Sequence, residues 1–189
     1  MISRSFKTEA IILRRVSFSE TDRLVTLFTP KYGKLRCIAK GIKRIHSRKA
    51  AHLELFNQVN AFIIGAKTFA IITEVTPVRT FRKLRENLVG IAYVYKAVEQ
   101  VDRLCAQEQV HPSVYRSLVN FLSIIEENQE FKYPNLSEQF TRELLWDLGY
   151  LPKTSLLTGN VLQRFLIQIM EKVPKSEGFL TRVTHKSTI

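Results

Sequence analysis

The sequence holds two cysteines in 189 residues, Cys37 and Cys105, too few and too far apart for a disulfide framework or a Cys-x-x-Cys metal knuckle. Both read as packing residues of a reducing compartment. Four histidines, His46, His52, His111 and His185, form no pair at metal-ligand spacing on a predicted helix. Seven glycines are scattered along the chain and none builds a phosphate-cradling loop, so no metal and no cofactor is assigned. Long hydrophobic runs are missing too. The apolar stretch "AIIL" is broken at Arg14 and Arg15, and no segment approaches the roughly 20 apolar residues of a membrane span. These absences point away from a membrane protein and from a disulfide scaffold, and the expected location is the cytoplasm.

A further absence is one of sign. No Asp or Glu occurs between Asp22 and Glu54, whereas Arg23, Lys31, Lys34, Arg36, Lys40, Lys43, Arg44, Arg48 and Lys49 all do. Residues 1–79 carry 15 Lys and Arg against 5 Asp and Glu, net +10, and residues 80–189 carry 14 against 12, net +2. Charge concentrated in this way repels itself in the folded state and implies a polyanionic partner, nucleic acid or an anionic surface. The same shortage argues against catalysis. A two-metal nuclease needs clustered carboxylates, and the nearest acids, Glu20 and Asp22 beside Arg23, read as a turn with an ion pair. The chain is not expected to be an enzyme.

What is present divides into a β-rich part and a helical part. "TEAIILRRVSF", "RLVTLFT", "KLRCIAK", "FNQVNAFIIG" and "FAIITEVTPV" are five short strand candidates, separated by "SETD", by "PKYGK" and by a longer basic connection. In the second, Val25 and Leu27 alternate with Leu24, Thr26 and Phe28. In the third, Lys34, Arg36 and Lys40 share one parity and Leu35, Cys37 and Ala39 the other, so one face lines a core and the other meets solvent or ligand. The connection "IKRIHSRKAAHLE" is expected to be a loop or short helix holding little core. Five strands with a longer link between the third and fourth is the pattern of an OB-type barrel.

From Phe81 the period becomes helical. Leu84, Leu88, Ile91, Tyr95, Val98, Val101 and Leu104 (or Cys105) form one expected stripe, and Val114, Leu118, Phe121, Leu122 and Ile125 form a second. Ser137 is the expected cap of a third helix, with Phe140, Leu144, Leu145 and Leu148 inward and Gly149 as its stop. Val161, Leu162, Phe165, Ile169 and Met170 mark a fourth helix, and a fifth begins near Ser176. The expected class is α+β: a five-stranded OB-type barrel over residues 1–79, followed by an all-α domain over 80–189.

The string "TEAIILRRVSFSETDRLVTLFTPKYGKLRCIAKGIKR" resembles the N-terminal barrel of the RecO family of bacterial DNA repair and recombination mediator proteins. "LWDLGYLP" and "PKSEGFL" agree more loosely with that family's helical half. Where many members insert a four-cysteine zinc knuckle after the "LGY" helix, this chain reads "LPKTSLLTGN", so the resemblance is to a compact, zinc-free member. It implies binding to single-stranded DNA and to duplex DNA, annealing of complementary strands, and, with RecR, loading of RecA onto DNA coated by single-stranded DNA-binding protein. It also implies a bacterial, nucleoid-associated location.

Single-stranded DNA on an OB barrel needs cations for phosphates and flat rings for bases. Arg23, Lys34, Arg36, Lys40, Lys43, Arg44, Arg48 and Lys49 are the expected cations and Tyr32 the expected stacking ring, whereas Phe28 is assigned to the core because a short barrel needs large inward side chains. The coating protein's C-terminal tail, acidic and ending in Phe in the family picture, would seek an apolar notch rimmed by cations. Arg82, Lys83, Arg103 and Arg116 of the helical part are the candidates. The competing reading is an OB-fold protein that binds RNA, ribosomal RNA included, with no mediator role.

Overall fold

The computed structural model describes residues 5–44, 47, 49–65, 68–127, 132–171 and 174–186. Five strands come first: β1 (Ser5–Ser17), β2 (Arg23–Thr29), β3 (Gly33–Ala39), β4 (Gln58–Ile64) and β5 (Ala70–Arg79). They close into a barrel in the order β1-β2-β3-β5-β4, with β4 returning to β1. Only the β3–β5 step is parallel, through Cys37 opposite Ala70 and Ile38 opposite Ile71. This is the OB order, and all later elements are helices, as an α+β chain of this class requires.

Alternation decides what fills the barrel. Ala10 and Ile12 of β1, Val25 and Leu27 of β2, Leu35, Cys37 and Ala39 of β3, Val59, Ala61 and Ile63 of β4 and Ile72 of β5 make one buried cluster. Burial there pushes the Cys37 thiol up to about 12, so it stays protonated and inert. The link between β3 and β4 contributes more than the sequence suggests. Ile42 and Leu53 are fully part of this cluster and Ala50 and Leu55 pack on it. The expectation that the link holds little core is therefore corrected: its apolar residues, spaced too irregularly to register as a period, plug the barrel.

On the outer side of β2 and β3 the structure bears out the core assignment of Phe28, though not as an inward side chain, and overturns the open-face reading of Lys34. Phe28 is fully buried, yet it has the parity of Leu24 and Thr26, opposite to the inward Val25 and Leu27. Its cover is Tyr115, whose ring lies 6.1 Å away. Lys34, opposite Phe28 in the β2–β3 ladder, is only 8% exposed and does not share an open face with Arg36 and Lys40. The segment after the first long helix runs beside it: Gln107 bridges to Lys34 and the Glu108 N–H donates to the Lys34 carbonyl at 3.0 Å. Tyr115 donates its hydroxyl to Glu9 Oε1 at 2.8 Å, and Gln58 donates to the same carboxylate. Burial and the Glu9 carboxylate hold the Tyr115 hydroxyl above its ordinary range, so it remains a donor. The barrel's compact unit thus comprises residues 1–80 and 106–115, and a second unit comprises 81–105 and 116–189.

The helices are α1 (Leu88–Leu104), α2 (Pro112–Glu127), α3 (Tyr133–Asp147), α4 (Gly159–Met170) and α5 (Lys175–Lys186), with a 3-10 turn at Lys83–Glu86. Asn87 caps α1 by accepting the Gly90 N–H at 2.7 Å. The buried face of α1 is Val89, Gly90, Ala92, Tyr93, Val94, Ala97, Val98, Gln100 and Val101, while Leu88 and Tyr95 are exposed. The expected stripe holds at Leu84, Val98 and Val101 but is rotated at Leu88 and Tyr95, because small residues that let a neighbouring helix approach carry little hydropathy signal. All five expected residues of α2 are buried. Ser137 is not a cap; α3 begins at Tyr133 and Ser137 lies buried within it. Gly149, at φ 78, does stop α3: its N–H reaches Trp146 O and the Tyr150 N–H reaches Leu145 O at 2.9 Å. In α4 Leu162 and Met170 are buried as expected, but Leu166 takes the place of Val161, which is 60% exposed. Glu99 of α1 receives the N–H groups of Lys175 and Ser176 and so fastens the start of α5. Burial alone would raise the Glu99 carboxyl; these donors and Arg103 outweigh it and hold it below its ordinary value.

Gly33 tests how closely the 106–109 segment is fitted to β3. It sits at φ 66, and a Cβ there would lie 2.0 Å from Gln109 O. Gly33→Ala is predicted to cost on the order of 2 kcal/mol or more, from left-handed backbone strain plus a clash with main chain. The measurement is urea unfolding paired with amine labelling at Lys34. A lowered midpoint and faster Lys34 labelling are expected, and an unchanged pair would refute the fit.

Candidate nucleic-acid interface

With the Phe28–Lys34 end covered, the rest of the outer face is set by strand register, its exposed side chains standing on β1 and β3 while Thr26 and Leu24 of β2 are buried between them. Arg14 pairs with Thr26 and Thr26 with Arg36, so the three lie in one row across β1, β2 and β3. Both arginines are exposed. Neighbouring strands are about 4.8 Å apart, which places the two arginine Cα atoms roughly 10 Å apart with the small Thr26 between them. The next row is apolar: Val16, Leu24 and Ile38. Arg14 reaches this face because β1 carries a bulge between Ile12 and Arg14, which resets its alternation. Simple parity hides that shift, and Arg14 was accordingly absent from the sequence-derived cations.

Beyond the apolar row stand two loops. Phe18, in the β1–β2 loop, is 49% exposed, and Phe69, in the β4–β5 loop, meets it at 6.0 Å with the ring planes at 79°. The Arg36 guanidinium lies over the Phe69 ring, 5.6 Å from its centroid. Sequence reasoning missed both rings. The available signal was an aromatic residue directly against a polar turn, "FSETD" and "KTF", where burial is not expected.

The β1–β2 loop is tightly fastened. The Phe18 N–H donates to Asp22 O at 3.1 Å and the Asp22 N–H to Ser19 Oγ at 3.1 Å. Asp22 Oδ1 accepts the Gly41 N–H at 2.8 Å and the Thr21 hydroxyl at 3.0 Å. That is the role of Asp22, in place of the expected ion pair with Arg23. Lys43 donates its ammonium to Ser17 Oγ and Ser19 O and its backbone N–H to Thr21 O. It is consequently a strut of the loop as well as an exposed cation.

The remaining expected residues are distributed as follows. Arg36, Lys40 and Arg44 are exposed, at or just after the end of β3 nearest the loop. Arg23 is half-buried and shares the inward parity of Val25, so it is not on the Arg36 face. Lys49 is half-buried in a helical turn whose carbonyl accepts from His52 and Leu53. Arg48 lies outside the described residues. Tyr32 is at the opposite end of the β2–β3 hairpin, its ring 4.1 Å from Phe6 and packed on the core, which removes it as an open stacking ring. In the helical unit, Arg82, Lys83 and Arg116 are exposed, but Arg103 is paired with Glu99 at 2.7 Å. Among the described residues no three His, Cys, Asp or Glu side chains are grouped to hold a metal, and no helix is long and apolar enough to cross a membrane.

A closed OB barrel whose open strand face carries a row of arginines and two loop aromatics defines the class of this protein. The particular likeness follows from the chain itself. Residues 1–81 match the family described as Recombination protein O N terminal. DNA repair protein RecO of Roseiflexus sp. (strain RS-1) is 35% identical over 153 residues, 81% of this chain and 53% of the relative. Its counterpart from Symbiobacterium thermophilum is 32% identical over 154 residues, 82% of this chain and 60% of the relative, and that from Salinibacter ruber 33% over 155, 80% and 59%. Over about four fifths of its length the chain is similar to RecO proteins, and its first 81 residues match that family's N-terminal part. It spans little more than half the length of these relatives.

The Asp22 link yields a pH prediction with a definite sign. The Gly41 N–H first, then the Thr21 hydroxyl, hold the Asp22 carboxyl below its ordinary value of 3.8. A depressed folded value means the link contributes fully above the unfolded value and is lost as pH falls through the folded one. Exchange of the Gly41 amide hydrogen, followed by NMR, is expected to stay slow relative to Asp22→Ala at pH 5 and to accelerate only below the ordinary carboxylate range. Acceleration already near pH 6, or equal rates in the variant, would contradict this.

Proposed function

We propose that this chain supplies the nucleic-acid-binding part of a DNA repair and recombination protein: it binds single-stranded DNA, and duplex DNA through the same cations, and promotes annealing of complementary strands. The observation that carries the reading is the Arg14–Thr26–Arg36 row next to the Phe18–Phe69 pair. Strand faces and the β1–β2 and β4–β5 loops are where OB barrels hold oligonucleotides. Likeness to RecO proteins supports DNA repair as the setting, since those relatives are named for it. Annealing asks for relief of repulsion between two polyanions, which a basic barrel supplies with no nucleotide and no catalytic group, so the activity is non-enzymatic and weakens with salt.

The partners implied by the family resemblance belong to the same proposal: RecR, the C-terminal tail of single-stranded DNA-binding protein, and RecA indirectly. Arg82, Lys83 and Arg116 are the exposed cations available to an acidic tail. The RNA-binding alternative gains no observation of its own, and a competition between oligothymidylate and structured RNA separates the two.

Because Lys34 is covered and Lys43 is engaged, the cations open to phosphate are fewer than the sequence count. With about four to six of them in contact, log K against log[salt] for single-stranded DNA is expected to slope at roughly −3 to −4. Arg14→Ala and Arg36→Ala should each flatten the slope by about 0.7. Lys34→Met should leave it unchanged. A wild-type slope near −1, or a flattening by the Lys34 variant equal to that of the arginine variants, would overturn the assignment of the face.

A further inference from the structure

Within the barrel unit, Phe18 is the one aromatic residue among the exposed large apolar side chains of the described residues. Exposure of a phenyl ring forfeits part of the free energy that its burial would contribute. The ring is nonetheless held out, on a loop tied down by Asp22, Lys43 and the Phe18 N–H itself. Phe69 supports it from one side and is itself occupied by the Arg36 guanidinium. Between Phe18 and the arginine row lies an apolar floor, half-exposed Val16 (41%), buried Leu24 and half-buried Ile38. Two residues along a strand is about 7 Å, within the reach of a phosphate and the base it carries.

We infer that Phe18 is the stacking platform for one unpaired nucleobase, with Phe69 as its support and Arg14 and Arg36 holding the flanking phosphates. This deepens the single-strand reading and rests on it. The occupant must combine a flat apolar face with a neighbouring anion, which matches the order of the rows: ring, apolar floor, cations. A fixed loop means the ordering cost of the platform is met before the ligand arrives. A duplex keeps its bases stacked internally, so the subsite favours strands whose bases are free.

The test compares wild type with Phe18→Ala, Phe18→Leu and Phe18→Tyr, on oligothymidylate and on an abasic sugar-phosphate oligomer of the same length, at one salt concentration. Phe18→Ala and Phe18→Leu are expected to weaken binding to oligothymidylate about tenfold, the order of one base–aromatic stack. Phe18→Tyr should restore it, and none of the three should alter binding to the abasic oligomer. Equal losses on both oligomers, full binding by Phe18→Leu, or no loss on either would overturn the platform while leaving the cationic face in place. Failure of wild type to bind either oligomer at low salt would overturn both readings. Binding to anionic phosphatidylserine vesicles that Phe18→Ala abolishes, with oligothymidylate binding intact, would assign the ring to a membrane surface instead and also overturn it.

Discussion

A hydrogen bond from the Glu108 N–H to the Lys34 carbonyl decides which half of the barrel's outer face is open. The returning segment can lie that close only because residue 33 has no side chain. Once it is there, Lys34 and Phe28 are covered, Tyr115 is placed to donate to Glu9, and the first rows of β2 and β3 are withdrawn from ligand. What remains is the end of the strands nearest the β1–β2 loop. The arginine row, the apolar row and the two loop rings all lie there, so one main-chain contact far away in sequence fixes the address of the site.

The second constraint is rigidity of the loop. Its residues are polar and short, and a bare "SFSETD" turn would sample many conformations. Asp22 and Lys43 remove that freedom by bonding main-chain and hydroxyl groups on both sides of the turn. A charge that looks like a ligand in the sequence thus also builds the place where a ligand can sit. Arg15 shows the same economy: its guanidinium donates to Leu53 O and pairs with Glu54, tying β1 to the link that plugs the barrel. The net +10 of residues 1–79 consequently overstates the charge offered to a partner.

The strands of the barrel were legible in the sequence because each is a short period-2 run ended by turn residues, and the core parity of β2 and β3 follows directly. Three things were not. Burial of Lys34 depends on residues some seventy positions downstream, which no local pattern reveals. Exposure of Arg14 depends on a bulge, and a bulge has no mandatory sequence mark. The rotated face of α1 depends on Gly90, Ala92 and Ala97, which count as weak hydrophobes although they are the ones that permit close packing. Tyr32 and Phe18 illustrate the consequence for function: both are aromatic residues near turns, and only tertiary contacts distinguish the ring packed on Phe6 from the ring left open.

In the proposed reading, ligand meets the β1–β2–β3 face at its loop end and stops where the 106–109 segment begins. Amide chemical-shift mapping on titration with oligothymidylate tests it most directly. The largest changes are expected at Arg14, Val16, Phe18, Thr26, Arg36 and Phe69, with Gly33, Lys34 and Glu108 unmoved. Changes centred on Lys34 and Glu108, or on the outer side of β4 and β5, would contradict it.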